Sequence, residues 1–449
     1  TLGRCGGTVS LASGATQSGF GRTGTVDWET SIQTGTVTAA TGKGYFVNTT
    51  AGAITVNLPV GVVGSIVAVS DYASTAASNN ITIEPNGSEK INAVNNGYIM
   101  STAGLAVTLV YADVVRGWKS VTGSDADATG VVPTYIVASG GTPCSGAIVD
   151  TNYKQHTFTG PGTFTVCSVG NPIGSTEISY MVVAGGGAGG RGATGSSNAG
   201  AGGGAGGFRE GKTPQCAYTS SPLACTSGSN NGIAVSATPY PIGIGGGGTA
   251  APYPANFPTL SPAAAGNGNP STAFPIISTA GGGGANRTQP SEFSGAPGGS
   301  GGGAIGCGSG GTGNTPPVSP AQGFDGGVGT CVTNSAGGGG ATAVGIIASP
   351  SCLGAGGVGG AGATTSINGT PTARAGGGGG GSGGTTPTPA GGGAGGTGGG
   401  GTGSANNAGD NTVGTVNTGG GGGGGGGENP GSQGKNGGSG IVIIRYRYQ

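Results

Sequence analysis

Two stretches decide the fold. Gly419-Gly420-Gly421-Gly422-Gly423-Gly424-Gly425-Gly426-Gly427 is followed by Gly437-Gly438-Ser439-Gly440-Ile441-Val442-Ile443-Ile444-Arg445-Tyr446-Arg447-Tyr448. Ile441 to Tyr448 is a β-branched and aromatic run that favours a strand. A similar run, Ile178 to Val183, precedes the first glycines. Strand-forming segments therefore bracket residues 184–440. If the two share a sheet, everything between them is one insertion with clamped ends. Inside it, glycine runs recur at 185–187, 202–204, 245–248, 281–284, 337–340, 376–381, 398–401 and 419–427. Recurrence on a fixed scale signals stacked units, whereas a flexible linker needs only one stretch.

Collagen is excluded, because it needs glycine strictly at every third residue. The remaining ordered solution is a bundle of polyglycine II helices. Such a helix is extended and threefold, rises about 3.1 Å per residue and makes no internal hydrogen bonds. Every N–H and C=O must then find a partner on a neighbouring segment. Without Cβ atoms, neighbours approach closely enough for N–H···O and Cα–H···O contacts on several sides. At that rise, residues 419–427 span about 28 Å. On this reading an inward Cβ breaks the lattice. The less glycine-rich stretches 212–232, 249–278, 285–297, 311–333, 341–352, 364–373, 385–390 and 404–418 become end loops.

Composition supports order. Of 449 residues 114 are Gly, 7% are charged and 33% are hydrophobic, with a formal net charge of zero. Disordered chains combine high charge with few aliphatics, which is not the pattern here. Zero net charge also argues against nucleic-acid capture and anionic membranes, both of which need clustered Lys and Arg. No apolar run approaches the length of a membrane-spanning helix, so no membrane insertion is expected. No charged n-region with an apolar core opens the sequence, so no signal peptide is expected. Thr1 in place of Met points to a processed, truncated or partial chain.

The first third alternates. Ile54, Val56 and Leu58 interleave with Thr55 and Asn57, and Ile81 with Ile83, as half-buried strands do. Pro85-Asn86-Gly87 marks a turn. Val107, Leu109 and Tyr111 lead through a turn at Arg116-Gly117 into Trp118. Short strands at regular spacing indicate a sandwich or a small interlocked β-domain. Small polar residues break the pattern near 124–134. The expected organisation is a β-rich module at 1–123, a linker at 124–134 and an introducing β-segment at 135–184. A polyglycine II bundle at 185–440 and a closing strand at 441–449 follow. The fold class is all-β modules followed by a polyglycine II bundle, with essentially no α-helix. Gly160-Pro161-Gly162, between Phe158 and Phe164, is expected to make a hairpin.

The chemistry-bearing residues are few. The acids of the glycine region are Glu210, Glu292, Asp325, Asp410 and Glu428. They are scattered, not paired across a sugar bond as glycoside hydrolysis requires. His156, the single histidine, lies in a strand without a Ser, Cys and Asp set, and reads as structural. No G-x-x-x-x-G-K-[ST] phosphate loop occurs. No enzyme and no cofactor are expected. Eight cysteines include no C-x-x-C pair, so zinc is not expected. Cys216 and Cys225, at the ends of one loop, are the expected disulfide, with Cys307 to Cys331 or Cys352 as a second. Arg445 and Arg447 alternate with Tyr446 and Tyr448 as the two faces of a terminal strand. Loops on a rigid scaffold commonly carry recognition. The candidates for contact with a partner are Tyr218, Tyr253, Phe257, Phe274, Arg287, Phe293, Phe324, Asp325, Arg374, Asn406 and Asn407.

Three stretches resemble the glycine-rich domain of bacteriophage tail fibres and tail-tip adhesins. They are Ser179-Tyr180-Met181-Val182-Val183-Ala184-Gly185-Gly186-Gly187, Tyr240-Pro241-Ile242-Gly243-Ile244-Gly245-Gly246-Gly247-Gly248 and Gly437-Gly438-Ser439-Gly440-Ile441-Val442-Ile443-Ile444-Arg445-Tyr446. Tyr153 to Thr159 and Phe164 to Val166 resemble the β-segment that introduces that domain. Gly44 to Pro59, with Val107 to Tyr111 and Gly117-Trp118, is similar to a repeat module of fibre proteins. The resemblance covers roughly residues 41–120 and 150–449. It implies a virion protein at the distal end of a tail fibre, often a homotrimer, binding a host surface receptor alongside other tail-fibre or baseplate proteins. The alternative is a structural extracellular or cell-surface fibre whose glycine region provides cohesion. An ice-binding protein is a third reading, disfavoured by the Pro-rich loops.

Overall fold

The computed structural model describes residues 26–122, 133–171, 174–193, 199–224, 231–251, 265–286, 293–330, 333–350, 354–383, 391–406, 408–427 and 432–449. Contacts divide the chain into two compact units, Thr1–Val132 and Pro133–Gln449. Among the described residues the secondary structure is all β, with no α-helix, and none of the sheets closes into a barrel.

In the first unit the chain alternates between two sheets. One holds Asp27–Trp28, Lys43–Val47, Ile66–Asp71, Ala106–Asp113 and Gly117–Ser120, in that order. The other holds Val37–Thr38, Ile54–Asn57, Ile81–Glu84 and Tyr98–Met100. As far as Glu84, neighbours within each sheet are parallel. Parallel neighbours need a crossover, and here the crossover is a strand of the opposite sheet. The alternation expected at Ile54 and Val56 is observed, with both side chains inward. Val47, Val56, Leu58, Val69, Ile83, Met100, Leu109 and Trp118 from the two sheets fill one apolar core. The turn before Trp118 needs its glycine: Gly117 has φ +68, and a Cβ there would run into the Lys90 carbonyl.

The second unit is built differently. Its central sheet runs Thr142–Val149, Tyr153–Phe158, Ile441–Arg447, Glu177–Val183, Phe208–Gly211. The bracketing strands are therefore direct antiparallel neighbours, with Val183 opposite Ile441 and Ser179 opposite Arg445. A second sheet runs Val137–Ser139, Gly162–Ser168, Pro239–Gly243, Ser271–Ala273, Ile276–Ser278. Gly160-Pro161-Gly162 makes no hairpin. Tyr153–Phe158 and Gly162–Ser168 belong to different sheets, so this link carries the chain from one layer to the other.

The described glycine-rich segments between 184 and 440 form the bundle. Along 185–192, successive N–H groups turn to three different neighbours and return to the first after three residues. Gly186, Gly189 and Gly192 donate to the carbonyls of Gly438, Lys435 and Ser432; Gly187 and Gly190 to Gly204 and Ala201; Gly185 and Ala188 to Asn269 and Gly266. This stride of three defines a threefold extended helix. Segment 419–427 is bonded on six sides. It donates to 376–382, to 187–190 and to Thr412, and accepts from 432–438, 200–206 and 401–404, with N···O distances of 2.7–3.2 Å. Three N–H and three C=O directions per turn allow an interior segment to pair its backbone on all sides.

Glycine is required inside because neighbouring carbonyls occupy the space a side chain would need. At Gly421, Gly422, Gly423, Gly424 and Gly425 an added Cβ would lie less than 3.0 Å from backbone of another segment. The expectation that any inward Cβ breaks the lattice is too strict. Ala188, Ala250 and Ala265 are buried with their methyls against one another, and Ala201 meets Ala285 and Ile305. An inward methyl fits where it meets other methyls rather than backbone. The expected end loops are also too extensive. Residues 265–270, 344–350 and 411–415 lie within the bundle as outer segments, bonded to 185–188, 355–358 and 399–402.

Candidate functional site

The register fixes direction as well as contact. Segments 185–193, 245–251, 279–286, 300–306, 323–330, 344–350, 375–383, 400–406 and 419–427 lead away from the central sheet. Each is followed by a segment that leads back, as the falling partner numbers of antiparallel pairs record. The bundle therefore has a proximal end on the sheet and a distal end. The described segments on either side of 194–198, 252–264, 287–292, 331–332, 351–353, 384–390 and 428–431, which lie outside the described residues, break off at the distal end.

Small polar side chains close the distal rim. Asn286 Oδ1 accepts the Arg191 N–H at 2.9 Å. Asn334 Oδ1 accepts the Gly383 N–H at 3.2 Å, and Asn334 Nδ2 donates to the Ser349 carbonyl at 3.4 Å. Asp410 Oδ1 accepts the Ala405 N–H at 3.0 Å, and Ser432 Oγ accepts the Gly426 N–H at 2.6 Å. These groups satisfy backbone that the lattice no longer reaches. Arg191 is buried, whereas Asp410 is exposed.

The structure sorts the candidate residues into three groups. Asn406 lies in a distal turn with φ +47, a conformation asparagine tolerates. Phe293 follows a distal link and packs against Ala201, Ala285 and Ile305. Tyr253, Phe257, Arg287 and Asn407 lie outside the described residues. Phe324 and Asp325 sit on the flank, where Asp325 Oδ1 accepts the Gly313 N–H at 2.7 Å.

Tyr218, Phe274 and Arg374 are at the proximal end, where Tyr218 and Arg374 are buried and Phe274 is half-buried. Phe274 packs on Tyr240 and Phe164, with ring centroids 4.9 and 6.0 Å away. Tyr218 and Arg374 are buried beside Glu210. Burial raises the Tyr218 hydroxyl pKa well above its ordinary range and lowers that of Arg374, with the Glu210 charge opposing the shift at Arg374. Glu210 itself accepts the Thr365 hydroxyl at 2.6 Å and the Ser221 N–H at 2.9 Å. This cluster fastens the loops around 218 and 365 to the strand Phe208–Gly211.

Arg445 is enclosed to a degree that its place in the sequence does not reveal. It lies on one face of the terminal strand, as expected, and is fully buried there. Its Nη2 meets Asp150 at 2.6 Å, Nη1 donates to the Ile367 carbonyl at 3.2 Å, and its guanidinium lies over Tyr153 and Tyr218. Only the preceding residues carry a signal: Ile441 to Ile444 is continuously apolar, which marks that part of the strand as covered on both faces. His156 is also buried, with Nδ1 2.6 Å from the Gly140 carbonyl and Nε2 3.0 Å from the Tyr446 hydroxyl. Its structural reading fits these contacts, and desolvation lowers its pKa.

The expected Cys216 bridge is not formed. Cys216 is a free, buried thiol packed in an apolar cluster with Met181, Val183, Phe208 and Tyr218, where cysteine serves as a small hydrophobe. Its expected partner Cys225 lies outside the described residues. Cys307, at a distal turn, is disulfide-bonded, and both of its expected partners, Cys331 and Cys352, also lie outside them. Among the described residues no group of three His, Cys, Asp or Glu could hold a metal ion.

A family model described as a glycine-rich domain matches residues 157–447. It starts in the strand beside the closing strand and stops at the closing strand's last residue. No curated protein matches the chain.

Proposed function

We propose, from the premise that the chain belongs to the glycine-rich domain family, that it is a non-catalytic phage tail-fibre or tail-tip adhesin. It binds a host-surface receptor, a glycan or an outer-membrane protein, through the distal links of its bundle. The supporting observation is where the described segments break off: those flanking the seven links all do so at the end of the bundle opposite the sheet that closes the domain. Scaffolds that concentrate loops at one end commonly bind there. Tyr253, Phe257, Arg287, Phe293, Asn406 and Asn407 are the residues assigned to binding.

The test uses labelled full-length chain on a panel of bacterial cells, compared with a variant whose 252–264 and 287–292 links are replaced by Gly/Ser of equal length. The reading requires saturable adsorption to some strains that the variant loses while its bundle amides stay protected. Adsorption that survives the replacement, or no adsorption together with assembly into filaments, overturns it. The filament outcome favours the cohesive-fibre alternative.

A further inference from the structure

Segments 323–330, 344–350, 354–362 and 391–397 lie side by side on one flank. Gly345 donates to the Asp325 carbonyl at 3.0 Å, Ile346 to Val358 at 2.8 Å, and Gly359 to Ala394 at 2.9 Å. Apart from Phe324 and Ile346, which are exposed but donate to the Gly340 and Val358 carbonyls, exposure here repeats every third residue. Asp325 and Val328, Val344 and Ile347, Ala355 and Val358, and Gly391, Ala394 and Thr397 face solvent, while the glycines between them are mostly buried. The outward residues donate no backbone hydrogen bond to the described chain, whereas Gly356, Gly357, Gly359 and Gly360 all donate inward. This flank is an edge of the lattice, with a row of free N–H groups about 9 Å apart along each segment.

A bare edge of this kind invites another segment, as an exposed β-edge does. The inward glycines show what prevents it. A Cβ at Gly356, Gly357, Gly359, Gly360, Gly393 or Gly396 would stand less than 3.0 Å from neighbouring backbone, while one at outward Gly391 meets nothing within 4 Å. Outward positions have room for a side chain only because no segment lies beyond them. Eight of the nine outward positions named above carry one.

We propose that these third-position side chains terminate the lattice. Their Cβ atoms keep a second copy of this chain from adding its own extended segments to the flank, so the bundle stays finite. The inference does not depend on what the distal end binds. It also makes a prediction opposite to that of a simple apolar docking patch. Val344 and Ile347 are half exposed, and shortening them would weaken an apolar contact. If they are terminators, removing their Cβ atoms strengthens association.

The experiment compares full-length wild type with Val344→Gly/Ile347→Gly/Val358→Gly and with Val344→Ser/Ile347→Ser/Val358→Ser, by sedimentation velocity over a concentration series. Serine removes the apolar surface but keeps Cβ. The glycine triple is expected to gain weight-average mass on the order of twofold or more over wild type, with new amide protection at 344, 347 and 358. The serine triple is expected to match wild type. Equal mass for all three proteins, or equal association of the glycine and serine triples, overturns the proposal. Should the glycine triple unfold, Val358→Gly is set against Val358→Ser; the proposal requires the same order, and equal masses refute it.

Discussion

The first unit buries Val56, Leu58, Ile83, Leu109 and Trp118 between two sheets. The bundle of the second unit buries Gly421 to Gly425 among carbonyls and amides of other segments. In the first, side-chain volume fills the interior and backbone pairs only in the plane of each sheet. In the second, backbone fills the interior and pairs in every lateral direction. The difference changes what a substitution does. A core of side chains is weakened by removing atoms, and a core of backbone by adding them. Ordering glycine costs more chain entropy than ordering any other residue, so the bundle depends on using nearly every N–H and C=O it contains.

The largest expected effect comes from adding atoms. Gly423→Val puts a side chain onto the Thr402 carbonyl and should cost more than about 4 kcal/mol, the range of severe core damage. Loss of the slow amide exchange of 419–427 would record it. On the outer flank Val358→Ser, whose position faces solvent, should stay within about 0.5 kcal/mol. Similar effects at the two sites would erase the distinction between inner and outer positions.

Removing atoms is the complementary test. Leu58→Ala or Ile83→Ala should cost about 2–5 kcal/mol, read by tryptophan fluorescence in denaturant, since both tryptophans, Trp28 and Trp118, lie in the first unit. A smaller effect follows from Asp150→Asn. It leaves the fully buried Arg445 without its counter-charge, but Asp150 is 48% exposed, so the loss should be about 1–3 kcal/mol rather than the full range for a buried pair.

The smallest effect is pH dependence in the second unit. His156 is held neutral by burial, and its folded pKa lies below the ordinary 6.5. Between the folded and unfolded values the unfolded chain holds more protons, so stability rises with pH through that window and is flat above about 6.5. The melting temperature of the second unit should fall as pH drops below that value, and His156→Gln should reduce the slope.

Much of this architecture could be read from residue order. The apolar runs at 178–183 and 441–448 identified the closing pair, and repeated glycine runs identified a lattice. Alternation at Ile54 and Val56 located the first core. The outer segments 265–270, 344–350 and 411–415 escaped notice because positions at the edge of the lattice accept side chains: 344–350 holds a single glycine, Gly345, and resembles a loop in composition. Burial of Arg445 was not legible because alternation with tyrosine marks two faces without telling which is covered; Asp150, Tyr153 and Tyr218, distant in sequence, enclose it. Of the candidate site, Asn406 and Phe293 were found at or beside the distal end. Tyr218, Phe274 and Arg374 were misplaced because aromatic and charged residues in a polar loop look alike whether they reach outward or fasten the loop inward.

The central claim is that backbone alone holds the interior of the bundle. Hydrogen exchange on the full chain, resolved over 419–427 and the strand Ile441–Arg447, tests it most directly. If the lattice is as described, the glycine amides exchange as slowly as those of the strand, without one side chain to protect them. Exchange of 419–427 at the rate of an unfolded chain, with the strand still protected, would contradict it.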